Sequence, residues 1–316
     1  MPIFNKYQKA LKKMKIAVAK GSAHKQIYKS KLESFAAGIT RCGDSVQWND
    51  DPKQNQCDAA VIYGSYKAYR GSGHHKIKTS IAKSFDNFVQ LETPVIGRSA
   101  KSIDHDYFRV GVNGFLWDEG KWGHEYIDHD RYKTVWKNLG YDIDQQWQTQ
   151  GEHILILLQN PGDASLRGTD IFDWCYGAID QIKKHTDRPI VVRPHPLPRK
   201  GFTAFANTIA MYDNVTMVEN VLPNNLRPLE LDFKNCYCAV SFASGSAVDA
   251  VLAGVPSLTN DPGNMAWEVS THDFKDIENR YLGDRVAWMQ KVAMCQWSVK
   301  EFESGSCWQH VKKSIT

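Results

Sequence analysis

Short apolar runs alternate along this chain with longer stretches of helical period. In the first half the runs are Lys15-Ile16-Ala17-Val18-Ala19, Ser45 to Trp48, Ala59 to Tyr63 and Phe88-Val89-Gln90-Leu91; in the second they are Ile154 to Leu158, Ile190-Val191-Val192 and Cys238 to Phe242. Each has strand length and ends in turn residues, the pattern of strands buried in a sheet. Residues Tyr28 to Cys42 set Leu32, Phe35, Ala36 and Ile39 on one side of a helix. Phe4 to Met14 reads as a short basic amphipathic helix, Ala247 to Gly254 and Asp276 to Cys295 as further helices, and Tyr107 to Gly120 as a strand with an aromatic, Gly-rich loop. Strands alternating with helices predict an α/β chain with doubly wound, mostly parallel sheets.

A chain of 316 residues is long for one core, so two domains are expected. The polar stretch Asp144 to Gly151 reads as the linker, which places a first domain at 1–148 and a second at 152–296. A hydrophobic content of 42% excludes a disordered chain. No apolar run approaches the roughly 20 residues that span a bilayer, and the Lys-rich start lacks the apolar centre of a signal peptide. A soluble cytoplasmic protein without a transmembrane segment is expected. Seven cysteines, an odd number without repeated C-x-x-C, fit reduced thiols. Cys236 and Cys238 alternate faces of a strand, which is not zinc spacing, and no carboxylate motif suits a metal.

The chemistry concentrates where the three later strands end. They empty into Gln159-Asn160-Pro161-Gly162-Asp163-Ala164-Ser165, Arg193-Pro194-His195-Pro196 and Ala243-Ser244-Gly245-Ser246. Ligands of open parallel sheets bind outside such carboxyl ends. The third loop enters a helix whose free N–H groups suit a phosphate. Each motif has a plainer alternative. Ser246 and Asp249 have capping-box spacing, Pro-His-Pro is a rigid turn, and Asp163 is either a helix cap or an acid facing a sugar. Arg193 and Arg199 flank the Pro-His-Pro turn and weight it toward an anion.

The series Gln159…Asp163-Ala164-Ser165, Arg193-Pro194-His195-Pro196 and Ser244…Asp249-Ala250-Val251-Leu252…Gly254 resembles the nucleotide-sugar half of the capsule-polysaccharide Kdo transferases, over roughly Glu152 to Glu268. That family usually carries Lys at the place of Arg193 and Glu at the place of Asp249, and a Gly/Tyr-rich segment where this chain has Asp261 to Trp267. The resemblance implies a GT-B glycosyltransferase of two Rossmann-like domains, an acceptor domain at 1–148 and a nucleotide-sugar domain at 152–296, with the tail, about 297–316, packed back onto the first; it would use a nucleotide sugar, a UDP- or CMP-sugar, and no other cofactor. Its donor site would comprise Ser165, Arg193, His195, Ser244, Gly245, Ser246 and Asp249. Tyr107 to Phe115 and Gln159 to Ser165 also look like phage-encoded proteins of this superfamily.

Charge bears on the acceptor. Residues 1–83 hold 16 Lys and Arg against 5 Asp and Glu, an excess of +11, while the remaining 233 hold 23 against 30, so the whole carries +4. That asymmetry suggests a polyanionic partner for the first domain. Tyr63 to Lys78 interleaves aromatics and bases after a strand and reads as a Gly/Ser-rich loop; the plain alternative is a solvated face. Tyr66, Tyr69, Arg70, His74, His75, Lys76 and Lys78, with His24, Asn113 and Asp118, form the expected acceptor set. Bases stack on tyrosines and phosphates pair with cations.

The expected enzyme therefore moves a sugar to a hydroxyl of a hydroxymethylated pyrimidine in double-stranded phage DNA, in the infected host's cytoplasm. Glu92, Asp163 and His195 are the expected catalytic residues, with His24 and Asp118 as reserve bases. The alternatives are a capsule or surface-polysaccharide transferase and a non-catalytic nucleotide- or nucleic-acid-binding module.

Overall fold

The structure is a computed structural model that describes residues 12–51, 56–67, 73–96, 106–196, 201–219 and 227–316. Residues through 11 of the expected N-terminal helix, and Tyr69, Arg70 and Arg199, lie outside the described residues.

The first sheet comprises β1 (Lys15–Val18), β2 (Ser45–Trp48), β3 (Ala59–Tyr63), β4 (Phe88–Glu92) and β5 (Tyr107–Val112), with the late strand β11 (Gln296–Ser298), in the order β11-β5-β4-β3-β1-β2. β1 to β4 run parallel, β5 is antiparallel to β4 and β11 is antiparallel to β5. The second sheet orders β6 (His153–Leu157), β7 (Ile190–Arg193), β8 (Val215–Met217), β9 (Cys236–Ser241) and β10 (Ser257–Thr259) as β10-β9-β6-β7-β8, all parallel. Both are doubly wound, as the alternating pattern requires. Strand order reverses between β1 and β3 in one sheet and between β6 and β9 in the other. Those two switch points are where open sheets leave a crevice.

Among the described residues, ten α-helices pack on these sheets: α1 (Gln26–Arg41), α2 (Gly73–Ser84), α3 (His129–Leu139), α4 (Ile171–Ile182), α5 (Phe202–Ile209), α6 (Leu229–Phe233), α7 (Ser246–Leu252), α8 (Val286–Cys295), α9 (Val299–Ser304) and α10 (Ser306–Lys312). Part of the basic aromatic run, read from composition as loop, is thus helical from Gly73. Ile77, Lys78 and Ile81 lie on one side of α2, with Lys78 and Ile81 buried. The helix expected from Asp276 begins only at Val286.

The tail joins the first domain. β11 extends its sheet, and Phe302 and Trp308 meet Phe35 of α1 edge-on at 5.2 and 6.2 Å. Gly38 permits this, because a Cβ there would sit 1.9 Å from Phe302 O. Lys312 bonds the buried Asp44 at 2.8 and 2.9 Å, and Trp308 Nε1 and Met14 N–H add donors at 2.6 and 2.8 Å. Burial works against the Asp44 carboxylate, but these partners hold its pKa below the ordinary value. A second core joins the domains: Val95, Tyr132 and Trp136 pack with Val248, Met265 and Trp288. No described helix is long and apolar enough to cross a membrane.

Candidate functional site

Gln159 organises the second domain's switch point. Its Oε1 accepts the Ala243 amide at 2.8 Å and its Nε2 donates to Ser165 Oγ at 2.7 Å, so one buried side chain ties the β6 loop to the β9 loop. Asp163 caps the 3-10 turn Ala164–Leu166, accepting the Ser165 amide at 3.3 Å. The fully buried Asn264 braces the other side, donating to Ser241 Oγ, Phe242 O and Ser244 O at 3.2, 3.3 and 3.4 Å. Gly245 is the N-cap of α7 and no side chain caps it there, so the Ser246 to Asp249 capping box does not form. Ser244 Oγ instead accepts the Ser246 amide at 3.2 Å. The result is a rigid rim of Ser165, Ser244, Gly245 and Ser246 beside the start of α7.

His195 lies half-buried after β7, on the far side of β6 from β9. Arg193 is buried and ion-paired with Asp232, and donates to Arg227 O at 2.6 Å; Arg227 Nε reaches the second Asp232 oxygen at 2.6 Å. Its charge is committed within the domain, beneath the turn that carries His195.

Across the cleft, the β1 and β3 ends are joined by Ser22, whose buried Oγ donates to Ala19 O at 2.6 Å and accepts the Tyr63 amide at 2.9 Å. His24 stacks on His74 at 4.9 Å, His74 lies 4.2 Å from His75, and Tyr28 stacks on Tyr63 at 4.5 Å. His24 is exposed, and burial of its inner edge, then Lys78 and Lys25, lowers its pKa below the ordinary imidazole value, against a raising effect of Glu92. Lys76 is exposed. Lys78 is not: it is 2% accessible, donates to Ser65 O at 3.0 Å, and burial lowers its pKa to about 8. It offers this crevice charge from below rather than a surface contact.

Glu92 ends β4 and accepts the Ser65 and Thr93 amides at 2.5 and 2.7 Å. Burial opposes its charge, but Arg109, the two amides and Lys78 together lower its pKa. Glu92 is therefore a fixed anion that holds the Gly64-Ser65 turn. Arg109, opposite it in β5, lies under the Phe115 ring at 5.3 Å. Asn113 sits at the other end of the sheet, where it accepts the Phe88 amide at 2.9 Å and donates to Asp86 O at 3.0 Å in a left-handed backbone conformation with φ 65°.

The crevices face each other. Lys67 Nζ bonds Gly162 O, Trp117 N–H donates to Gly263 O at 3.0 Å, and Arg167 pairs with Asp118, with Glu119 at 3.0 Å and with Asp261 at 3.2 Å. Tyr66 is partly buried in the same region, its pKa raised by burial and then by Glu119. Sequence reading did not single out Gln159 as a site residue, nor Ser22, Arg167 or Asn264. Gln159 stood in a quoted motif. Each of the others has a partner distant in sequence, Tyr63 for Ser22, Asp118 for Arg167 and Ser241 for Asn264, and local pattern carries no sign of that.

No protein-family model matches the chain, and no curated protein matches its sequence. Solved structures do match. The β-Kdo 2,4-transferase of Thermosulfurimonas dismutans KpsC superposes with a TM-score of 0.58 at 16% identity, over 89% of this chain and 90% of that one. The β-Kdo 2,7-transferase of the same protein gives 0.53 at 11% identity, over 93% and 98%. What they share is the fold. Two Rossmann-like domains with their switch points facing one cleft make a GT-B-like arrangement, as the α/β pattern led one to expect.

Proposed function

We propose that the protein is a nucleotide-sugar-dependent glycosyltransferase of GT-B architecture. The observation that carries this reading is the Gln159-braced rim of Ser165 and Ser244 to Ser246 at one switch point, held opposite a second switch point that presents His24. The donor, a UDP- or CMP-sugar, places its phosphate against the rim amides and hydroxyls and His195, where oriented donors stabilise the charge that develops as the bond breaks. Asp249, in the first turn of α7, is the family-type ribose partner. The anomeric carbon gains a bond to the acceptor oxygen and loses its bond to the phosphate oxygen. The acceptor proton passes to His24, whose lowered pKa keeps it neutral and able to accept near pH 7. Glu92 and Asp118, already engaged by amides and cations, position loops. Asp163 is the competing base from the donor side. No cofactor beyond the nucleotide sugar is required in this reading.

A surface polysaccharide is the acceptor we favour, because the basic run offers less free surface than its composition suggested: Lys78 is buried, and His24, His74 and His75 stack on one another. The +11 excess in residues 1–83 supports the rival, a hydroxymethylated pyrimidine in double-stranded DNA of a phage. One experiment separates the readings. The protein is incubated with UDP- and CMP-sugars and either acidic and neutral oligosaccharides or hydroxymethylated and plain duplex, and product masses are measured. A hexose or Kdo increment on an oligosaccharide supports the favoured reading, and one on nucleosides supports DNA modification. Nucleotide binding without transfer to any acceptor overturns both in favour of a non-catalytic binding module.

A further inference from the structure

The 113–123 loop meets the second domain through Trp117 and Asp118, and with the C-terminal tail it also encloses a concavity of about 400 Å³. Trp117, Lys121, Gly123, Glu125, Lys313 and Ser314 line it. That volume lies within the range of small-ligand pockets, about 300–1,000 Å³, and is far too small for a duplex.

The walls are fixed and chemically mixed. Trp117 is half-buried and lies against His124 at 4.9 Å, and Trp122 Nε1 donates to Trp117 O at 3.1 Å. Gly123 has φ 68°, and a Cβ there would meet His310 Nε2 at 2.5 Å, so this wall is bare backbone. Lys121 and Lys313 are exposed, and the Lys313 ammonium stands 4.7 Å from the centre of the Tyr126 ring. Burial, then Lys291 and His310, lowers the His124 pKa to about 4, so its imidazole adds no charge near neutral pH. Glu125 supplies an acceptor, and the buried Ser314 hydroxyl has no hydrogen-bond partner among the described residues.

An inorganic anion would use the lysines and leave the indole and Glu125 without purpose. A neutral apolar molecule would strand the ammonium groups. A pyranose with a carboxylate matches all of them, having one apolar C–H face, several hydroxyls that both donate and accept, and a negative group. We propose that this concavity binds an acidic sugar residue, its carboxylate between Lys121 and Lys313, a hydroxyl on Glu125, and its C–H face against Trp117.

The site is separate from the transfer reaction, so its test needs no turnover. Saturation-transfer NMR and calorimetry on the full chain would use glucuronate, glucose and inorganic phosphate as probes. Glucuronate should bind saturably, with glucose and phosphate at least tenfold weaker. The exposed pair Lys121→Ser and Lys313→Ser, which does not threaten the core, should weaken glucuronate tenfold or more and leave UDP binding unchanged. Trp117→Ala should weaken glucuronate tenfold or more and abolish saturation transfer to the ring protons. Absence of glucuronate binding, binding insensitive to these substitutions, or phosphate binding as tight as glucuronate would each overturn the assignment.

Discussion

Arg193 ends its strand with its guanidinium buried against the Asp232 carboxylate, which also receives Arg227. The pair is asymmetric. Removing Asp232 strands two cations, one of them buried, whereas removing Arg193 leaves Asp232 with Arg227. Breaking a buried pair by deleting one partner costs about 3–5 kcal/mol. Asp232→Ala should therefore lie near that figure and Arg193→Met clearly below it, as read from urea unfolding at pH 7. Equal losses would show that the pair is not the buried unit the geometry describes.

The second prediction concerns the donor rim. Gln159→Leu keeps the volume but leaves the Ala243 amide and the Ser165 hydroxyl without their partner. An unsatisfied buried donor costs about 1–3 kcal/mol, and in a binding rim the loss should fall on the ligand. Calorimetry with UDP and CMP should show affinity lowered about tenfold or more, with the fold retained by circular dichroism. His195→Ala should weaken the nucleotide sugar by about 1.5–3 kcal/mol, the worth of a charge-assisted hydrogen bond. Unchanged affinity in both variants would move the donor site elsewhere.

How much of this was legible beforehand follows from segment length. β6, β7 and β9 were visible because runs such as Ile154 to Leu158 are continuously apolar and end in Pro, Gly and Ser. β8, β10 and β11 have three residues each and carry no periodicity. In β10 the ends are Ser257 and Thr259, polar side chains in a fully buried strand, and Ser257 is accommodated by its bond to Ala239 O at 3.2 Å. Lys78 was misleading for a similar reason. Composition places a lysine at the surface, but here Glu92 and the Ser65 carbonyl draw it inside. Arg167 was illegible because its partners Asp118 and Asp261 stand on other loops of the cleft.

The third prediction is a pH profile. If His24 is the base, transfer requires its neutral form, and its pKa lies below the ordinary 6.5. The rate should be flat through neutrality and fall on the acid side below 6.5. His24→Gln should lower kcat by about 10²–10⁴-fold and remove that acid limb. An unchanged limb would assign it to Asp163 or to another group.

Lys78 yields a stability signature with a defined sign. Folded Lys78 loses its proton near pH 8, against 10.5 for the ordinary side chain. Between those values the unfolded chain binds the additional proton, so stability rises with pH there, by at most about 1.4 kcal/mol per unit. The cost of the buried ammonium is present in full below pH 8 and relieved as pH climbs to 10.5. Lys78→Met should flatten the rise relative to the wild type in unfolding midpoints measured from pH 7 to 10.5. Parallel curves would place the ammonium in solvent.

The last prediction concerns how the cleft is held. Arg167 leaves the donor loop in a left-handed conformation, φ 52°, and its guanidinium spans to Asp118 and Glu119 of the first domain while bonding Asp261 of its own. Gly263 lies beneath this contact, where a Cβ would meet Leu116 Cβ at 3.0 Å and Arg167 Nη2 at 3.1 Å. These ion pairs are partly exposed, so each alone contributes little and salt weakens it. Their value is positional, because they join the loop that holds Ser165 to the loop that carries Trp117. Arg167→Ala, and separately Asp118→Asn with Glu119→Gln, should lengthen the distance between fluorophores placed on the two domains. The wild type should approach the same distance in about 1 M salt, where the screening length is only about 3 Å. Charge reversal on both sides, Arg167→Glu with Asp118→Lys and Glu119→Lys, should recover part of the closure, which a merely misfolded variant would not do. Identical distances in wild type and variants at low salt would mean that the second core, around Trp136 and Trp288, holds the cleft without help from Arg167.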